Sequence, residues 1–165
     1  IRSRIQSTST MASFIDKFLK WARHIKYIKQ KSVALTRITR AAGVHPNIGP
    51  LLYKQLIRPT LEYGLPLIAN ADNTSKKLYT SAHTVPLKRL LGIPIGSPNT
   101  HLLAELNIET PLSRLTATTD KFYRQCWDND YALPVLDNIV RERTVHPDKP
   151  SPADAWLIQQ DPLDG

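Results

Sequence analysis

The sequence contains one cysteine, Cys126, among its 165 residues. A single cysteine forms no intramolecular disulfide, and it excludes a Cys-based zinc site. The five histidines, at positions 24, 45, 83, 101 and 146, are 18 or more positions apart, so no metal-ligand spacing is present. We therefore expect neither a disulfide framework nor a metal or other cofactor.

Long hydrophobic runs and catalytic motifs are missing as well. No stretch has the roughly 18 apolar residues of a membrane span, and no secretory leader is visible. GxGxxG, GxxxxGK[ST], HExxH and GxSxG do not occur. Asp128 and Asp130 follow a predicted helix end, where acids are typical of a solvated loop, and Cys126 lies on a predicted apolar stripe. We therefore expect an intracellular protein that is not an enzyme.

Acidic residues are scarce at one end of the chain. Residues 1–40 contain ten Lys or Arg and one acid, Asp16, whereas residues 92–165 contain six basic and eleven acidic residues. The overall net charge of +8 therefore originates in an N-terminal arm and first helix. Such an asymmetry is typical of a polyanion-binding end, for which nucleic acid is the commonest partner, and also of a solvated helix face.

The remaining composition fits one domain with a buried core. Hydrophobic residues make up 41% of the chain and its mean hydropathy is −0.30. Thirteen prolines separate segments of helical periodicity, and no alternating strand pattern is present. We predict an all-α fold of about five or six helices. It comprises a basic arm (1–12), a helical domain (13–143) and an extended Asp/Pro-rich tail (144–165).

The first predicted helix starts after Ser13 as N-cap and ends at Gly43, where a left-handed residue is needed. Its predicted apolar stripe is Phe14, Phe18, Trp21, Ile25, Ile28, Leu35, Ile38 and Ala42. A membrane-surface helix that uses the first three aromatic residues is an alternative. It ranks lower because the core of the domain needs those side chains.

A basic face runs along the same helix. Its members are Lys17, Lys20, His24, Tyr27 and Lys31, at 3-4-3-4 spacing. Lysines on one face can follow a phosphate backbone, and Tyr27 either stacks on a base or packs at the rim. His24 is a candidate phosphate contact, although an exposed, solvated histidine is the simpler interpretation.

Prolines and small polar residues mark the later helices. Pro50 suits a first helical turn, Pro59 predicts a kink or break, and Leu61–Ala69 favours a bent helix over a strand. Asn73 is the predicted cap of a helix that buries Leu78, Ala82 and Val85 until Pro86 disturbs it.

Two further helices are predicted to start at Ser97-Pro98 and Thr110-Pro111. The stripe of the second is Leu112, Leu115, Thr119, Phe122 and Cys126. Pro134 opens a last predicted helix. In the tail, Trp156 and Leu157 are the only sizeable apolar anchors, and we expect them to dock on a surface.

Residues 52–66, LYKQLIRPTLEYGLP, resemble the LYKxxIRPxLEYGxP signature of non-LTR (LINE-type) retrotransposon reverse transcriptases. Three further elements agree in order. Residues 24–28 resemble the HIxxI helix of that family, residues 87–94 its LRxILGxP element, and residues 97–112 its TPNxxLxxELGIxPL run. The match covers about residues 25–115. It implies the helical thumb region after the palm, which grips a template–primer duplex.

The departures from the family limit what this resemblance implies. Ile68 stands where an aromatic residue is usual, Pro86 lies in a normally continuous helix, and Asn107 replaces the glycine of ELGI. The palm is missing, and no two aspartates are adjacent, so the metal-binding YxDD-type site cannot form. The resemblance therefore implies a module that binds nucleic acid without extending it.

Three interpretations stay open. The chain is an RNA-proximal binding module, a structural subunit of a large assembly such as an organellar ribosome, or an excised piece of a retrotransposon polyprotein. Residues 1–10 contain Arg, Ser and Thr but neither an initial Met nor an acid, which suits a transit-peptide remnant. We expect a mitochondrial location on that basis, and a nuclear or cytoplasmic one for a retroelement product.

Two kinds of partner follow from these interpretations. Contact with RNA or an RNA–DNA duplex is predicted through basic and neighbouring side chains of the first helix and the resembling segments. These are Arg2, Arg4, Lys17, Lys20, Arg23, His24, Lys26, Tyr27, Lys29, Lys31, Arg37, Arg40, Lys54, Arg58, Lys88 and Arg89. Neighbouring protein subunits are predicted to contact Trp156 and Leu157 of the tail.

Overall fold

The computed structural model describes residues 21–129 together with Pro152, Ala153 and Trp156. The elements are α1 (Ala22–Ala41), a 3-10 turn (Pro46–Ile48), α2 (Gly49–Leu52), a π-turn (Tyr53–Ile57), α3 (Arg58–Glu62), α4 (Leu65–Ile68), α5 (Asn73–Leu91), α6 (Asn99–Glu105) and α7 (Pro111–Trp127). No strand occurs among these residues, and the predicted all-α class is confirmed. If α2, the π-turn and α3 are taken as one bent helix, the described part has six helices. The cap at Ser13 and the helix from Pro134 lie outside the described residues.

The core is built around α1 and α5, which pack more extensively against each other than any other pair of elements. Ile25 of α1, Leu61 of α3, Leu65 of α4, and Ala82 and Leu87 of α5 are fully buried. The α7 helix packs against α4 and α5 from the other side. The two longest helices thus form the frame on which the shorter ones lie.

The buried stripe of α1 begins as predicted and then differs. Trp21, Ile25 and Ile28 are buried, but Ile38 is 67% exposed and Ala42 is exposed as well. From Ile28, helical steps of four, four and three lead to positions 32, 36 and 39, so the buried face continues there. Those positions are Ser32, Thr36 and Thr39, all buried. Leu35 is half-buried at the edge of the core. The predicted continuation was therefore wrong at Ile38 and Ala42.

The buried hydroxyls of α1 are hydrogen-bonded to backbone carbonyls. Ser32 donates to the Lys29 carbonyl at 2.9 Å, Thr36 to that of Ser32 at 2.7 Å and Thr39 to that of Leu35 at 2.8 Å. A buried hydroxyl with an acceptor avoids most of the desolvation penalty of an unpaired one. Small polar side chains can therefore face α5.

Pro86 lies inside α5, which continues through it from Asn73 to Leu91. The predicted disturbance of this helix was therefore wrong. Proline has no N–H, so the Ala82 carbonyl one turn earlier loses its helical donor. The Ser32 hydroxyl of α1 approaches that carbonyl at 3.4 Å. Because the single Ser32 proton is directed mainly to the Lys29 carbonyl at 2.9 Å, the Ala82 carbonyl receives only a long, shared contact in place of the amide that the proline removes. Ala82 is fully buried as predicted, while Leu78 and Val85 are half-buried.

Pro59 produces a local widening rather than a break. Its ring crowds the carbonyl of Gln55, and Tyr53–Ile57 forms a π-turn directly before α3. Gly64 then adopts a left-handed conformation with φ 75° between α3 and α4. The predicted disturbance at Pro59 thus takes the form of a π-turn. Helix is favoured over strand in Leu61–Ala69, as predicted, but the segment is divided between α3 and α4 at Tyr63 and Gly64 and is not one bent helix.

The ends of the helices were predicted with mixed success. Gly43 is left-handed with φ 69°, Pro50 lies in the first turn of α2, and the Thr110 hydroxyl accepts the Ser113 N–H at 3.2 Å. Asn73, however, is the first residue of α5. Asp72 is its cap and accepts the amides of Thr74 and Ser75 at 3.0 and 3.2 Å. The α6 cap is Pro98, not Ser97, and Pro98 makes no side-chain cap bond.

The buried face of α7 runs in steps of four. Leu115, Thr119 and Tyr123 are buried, whereas Leu112 is 42% and Phe122 is 45% exposed. The predicted stripe was therefore right at Leu115 and Thr119 and wrong at Leu112 and Phe122. The α7 helix meets the domain along one narrow row, which leaves the flanking apolar side chains outside.

Trp156 lies on the C-terminal half of α7. Its ring stacks on Tyr123 with centroids 5.5 Å apart, and its Nε1 donates to Asp120 Oδ1 at 3.0 Å. Cys126 is half-buried against the same cluster. The tail anchor therefore contacts this chain's own helix, which corrects its prediction as a contact for a neighbouring subunit. Leu157 lies outside the described residues.

A double-mutant cycle tests whether Ser32 compensates for Pro86. Ser32→Ala should lower the free energy of unfolding by about 1 kcal/mol in the natural chain, because the Lys29 carbonyl loses its donor and the Ala82 carbonyl its longer contact. In a Pro86→Ala background the new N–H at position 86 bonds the Ala82 carbonyl, and the part of the loss that comes from that contact should disappear. Urea unfolding of the four proteins measures the coupling.

Thr36→Ala is the matched control for this cycle. The Thr36 hydroxyl bonds the Ser32 carbonyl within its own helix, so its loss should have the same effect in both backgrounds. An equal effect of Ser32→Ala with and without Pro86 would contradict the compensation.

Candidate nucleic-acid interface

The two helices that form the frame carry no acidic residue. The α1 helix contributes Arg23, Lys26, Lys29, Lys31, Arg37 and Arg40, and α5 contributes Lys76, Lys77, Lys88 and Arg89. Within the described residues the carboxylates belong to Glu62, Asp72, Glu105, Glu109, Asp120 and Asp128. Asp72 is used as the cap of α5. The packing of α1 on α5 therefore brings together two helices whose charged residues are all basic.

A shallow groove of about 470 Å³ lies along the α1 side of this contact, and we call it the α1 groove. Lys26, Lys29 and Arg37 line it together with Gln30, Val33, Ala34 and Leu78. Positions 26, 30, 33 and 37 follow helical steps of four, three and four, so they share one face of α1. The cationic side chains thus flank a strip of small apolar surface.

A second groove of about 600 Å³ follows α5, and we call it the α5 groove. Lys76, Lys77, Thr80, Ser81 and Thr84 are among its lining residues. Lys29 of the α1 groove donates through Nζ to the Ser81 hydroxyl at 3.1 Å. This hydrogen bond joins the two grooves into one surface, and no carboxylate among the described residues lines either of them.

Several cations of this surface lack the carboxylate partners that arginines on the other helices have. Among the described residues, Lys26, Arg37 and Lys77 make no ion pair. Outside both grooves, Glu62 pairs with Arg114 at 2.7 Å and with Arg58 at 3.7 Å. The hydrogen bond with Glu62 raises the pKa of Arg114. Carboxylates thus neutralise cations away from the grooves, and the positive potential concentrates on α1 and α5.

The predicted basic face of the first helix is wrong at its centre. His24 is 2% exposed, because it lies one turn before Ile28 and beside Ile25 on the buried side of α1. Its ring meets Trp21 edge-on at 6.5 Å, and burial lowers its pKa. A buried, neutral imidazole neither contacts nor attracts phosphate. Arg2, Arg4, Lys17 and Lys20 lie outside the described residues.

Tyr27 and Lys31 lie on the flank of α1 away from the α1 groove. Tyr27 is half-buried against the core, and Lys31 Nζ is 4.8 Å from the centroid of its ring. This cation–π contact occupies the ring. The alternative in which Tyr27 packs at the rim therefore fits the structure better than base stacking.

Lys88 is a structural lysine. It is 3% exposed, and its Nζ donates to the carbonyl of Ile95 at 2.8 Å and to that of Ser97. These bonds hold the loop after α5 against the helix. Its prediction as a surface contact is therefore corrected.

The other predicted contacts are spread over the molecule. Arg23 and Arg40 are exposed near the two ends of α1, Lys54 is half-buried on the π-turn, and Arg89 is half-buried in the last turn of α5. Arg58 is paired with Glu62. Of the predicted set, the structure brings Lys26, Lys29 and Arg37 together in one groove.

Lys76 and Lys77 line the α5 groove but do not belong to the predicted contact set. The apolar pattern of residues 73–91 does not single them out, although the absence of any acid over this segment is a signal in the sequence. Their place beside Lys29 depends on how α5 crosses α1, which periodicity does not reveal.

Three buried polar side chains, those of Tyr53, Tyr79 and His83, contact one another in the core. The Tyr53 hydroxyl and His83 Nδ1 are 2.7 Å apart, and the Tyr79 ring meets His83 edge-on at 4.5 Å. Burial lowers the pKa of His83 to about 3, with the Arg58 and Arg114 charges acting in the same direction. Burial also raises the pKa of Tyr53 and Tyr79. The three side chains are uncharged at neutral pH and belong to the core.

No protein-family model matches this chain, and no curated protein or solved structure is significantly similar to it. None of the described helices is both long and apolar enough to cross a membrane. In the same residues, no three His, Cys, Asp or Glu side chains are grouped so as to hold a metal ion. The resemblance to reverse-transcriptase thumbs stays a prediction.

The buried histidine makes stability depend on pH. Below its ordinary pKa of 6.5 the unfolded chain binds a proton at His83 that the folded chain does not bind until about pH 3. The contribution is complete above pH 6.5 and is lost as pH falls toward 3, at up to about 1.4 kcal/mol per pH unit. Urea unfolding at several pH values should show a smaller decline for His83→Gln, with His24 still contributing. The same decline in both proteins would contradict burial of a neutral His83.

Proposed function

We propose that this chain is a non-catalytic helical module that binds RNA through the joined α1 and α5 grooves. The observation that carries the proposal is the pairing of two helices with ten Lys or Arg and no Asp or Glu. A solvated face would tolerate carboxylates between its lysines, and such i, i+4 pairs would even stabilise it. Their absence from both helices favours a polyanionic partner over simple solvation.

The geometry suits contact with phosphates. Lys26 and Arg37 are eleven positions apart, which corresponds to about 16 Å along a helix. Lys29 stands where this row meets the α5 groove, so Lys77 and Lys76 continue the positive charge onto the second helix. Lysine contacts with phosphate oxygens position a nucleic acid but carry little sequence information. We therefore expect weak sequence preference and steep salt dependence.

A binding role is also favoured over catalysis by the state of the reactive side chains. His24 and His83 are buried, and Cys126 packs beside Tyr123 and Trp156. None of them lines the α1 or the α5 groove. The resemblance to a reverse-transcriptase thumb, a region that holds nucleic acid without performing the chemistry, agrees with this role. We place the module in a larger ribonucleoprotein; a scaffold subunit that contacts only protein, or a polyprotein fragment, is the alternative.

The test compares two double variants that remove the same charge. Lys26→Ala with Lys77→Ala removes one cation from each groove, and Lys54→Ala with Lys121→Ala removes two that lie outside both. Fluorescence anisotropy with a labelled single-stranded RNA of mixed sequence gives the affinity from about 50 to 200 mM salt. The groove variant should bind RNA more weakly. If each lysine contacts one phosphate, the slope of the logarithm of the binding constant against the logarithm of the salt concentration should become shallower by about 1.4.

The control variant should retain the natural slope. Equal weakening by both double variants would mean that net charge alone attracts RNA. Absence of RNA binding by the natural chain would overturn the proposal and favour the protein scaffold.

A further inference from the structure

The hydrogen bond between Lys29 and Ser81 lies at the point where the α1 and α5 grooves meet. Lys29 lines the first groove, Ser81 lines the second, and the lysine Nζ is 3.1 Å from the serine Oγ. Each of the two residues is half-buried, and the bond between them is only partly buried. The pair therefore belongs to the groove surface and not to the core.

Lys29 keeps its charge and two of its donors in this bond. An ammonium group has three N–H donors, and the Ser81 hydroxyl accepts one of them. No carboxylate in the described part of the chain pairs with Lys29. Because the acceptor is an uncharged hydroxyl, the bond holds the lysine in place without neutralising it.

The Ser81 hydroxyl also keeps its own proton available. Thr80 and Thr84 of the same helix donate to the carbonyls of Lys76 at 3.0 Å and of Thr80 at 3.1 Å, as hydroxyls in helices often do. The Ser81 hydroxyl makes no such bond, and no described residue accepts its proton. A hydroxyl that accepts a bond from a cation is polarised and becomes a better donor itself.

The two sets of free donors are close enough to bind one anion together. The lysine Nζ and the serine Oγ are 3.1 Å apart, so their remaining hydrogens can reach two oxygens of the same group. Lysine and serine side chains are both common donors to phosphate oxygens in nucleic-acid complexes. Lys26 on one side and Lys77 on the other line the two grooves, so the anion that fits is one member of a row. A phosphate within a chain of phosphates has this arrangement.

We propose that Lys29 and Ser81 together bind one phosphate of the RNA backbone at the junction of the two grooves. This inference rests on the proposed function and deepens it. The proposed function requires only positive charge along the grooves, whereas this site adds a directional hydrogen bond from an uncharged side chain. Ser81 is therefore a binding residue whose loss changes the affinity for RNA without changing the charge of the protein.

The experiment uses the full chain and the anisotropy assay with labelled single-stranded RNA over the same range of salt. Ser81→Ala removes the hydroxyl and favours the helix, because alanine has the higher helix propensity. Thr80→Val is the matched control, since Thr80 lines the same groove but its hydroxyl is already used by the Lys76 carbonyl. Lys29→Met removes the cation at similar length. Thermal unfolding checks that each variant folds.

Ser81→Ala should weaken RNA binding about threefold to tenfold, the equivalent of one hydrogen bond. Its salt slope should equal that of the natural chain, because no charge is lost. Lys29→Met should weaken binding and make the slope shallower by about 0.7. In the Lys29→Met background, Ser81→Ala should lose most of its effect, because the two residues bind the same phosphate. Thr80→Val should match the natural chain.

Two results would overturn the inference and leave the proposed function standing. If Lys26→Ala with Lys77→Ala weakens RNA binding but Ser81→Ala does not, the grooves attract RNA by charge alone. If Ser81→Ala makes the salt slope as shallow as Lys29→Met does, the serine only positions the lysine and bonds no phosphate.

Inorganic phosphate is the second probe, because a free anion could use the same donors. If Ser81→Ala abolishes binding of inorganic phosphate but leaves RNA binding unchanged, the pair is a site for free anions and the inference is wrong. If the natural chain binds no RNA, the proposed function fails and this inference fails with it.

Discussion

The close contact between α1 and α5 is the constraint on which the rest of the structure depends. The two helices meet where Ser32 of α1 approaches the Ala82 carbonyl of α5, and the Ser32 and Thr36 hydroxyls donate to carbonyls within α1. Pro86 frees one carbonyl at that contact, and the Ser32 hydroxyl lies near it. Because this narrow polar seam fixes how the helices cross, it also fixes which of their outer side chains become neighbours. Lys29 reaches Ser81 only in that arrangement.

The distribution of charge follows from the same frame. Every carboxylate of the described residues lies outside α1 and α5, and three of them, Glu62, Glu109 and Asp120, pair with arginines on the shorter helices. Those pairs offset charge outside the grooves, whereas Lys26, Arg37 and Lys77 of the grooves make no ion pair among the described residues. Under the proposed function, a phosphate chain supplies the negative charge that the grooves lack.

Periodicity and end signals predicted much of the fold. Trp21, Ile25 and Ile28 are buried, Gly43 is left-handed, and a π-turn precedes Pro59, all as the local chemistry of these residues requires. The failures share one cause, which is that tertiary contacts override local pattern. Hydroxyl residues occupy the second half of the buried α1 stripe, Lys88 is buried because two loop carbonyls bond it, and Pro86 continues its helix. Of the candidate site, the basic character of α1 was predictable, whereas the hydrogen bond that joins Lys29 to Ser81 of α5 depends on three-dimensional packing.

The central claim is that RNA lies along the joined α1 and α5 grooves. Its most direct test is the mapping of backbone amide shifts by NMR during titration of the isotopically labelled chain with single-stranded RNA. RNA bound in the grooves should give a connected track of shifted amides around Lys26, Lys29, Lys77 and Ser81, with the region of Glu62 and Arg114 unchanged. Shifts centred on Glu62 and Arg114, or scattered over all basic residues alike, would contradict it.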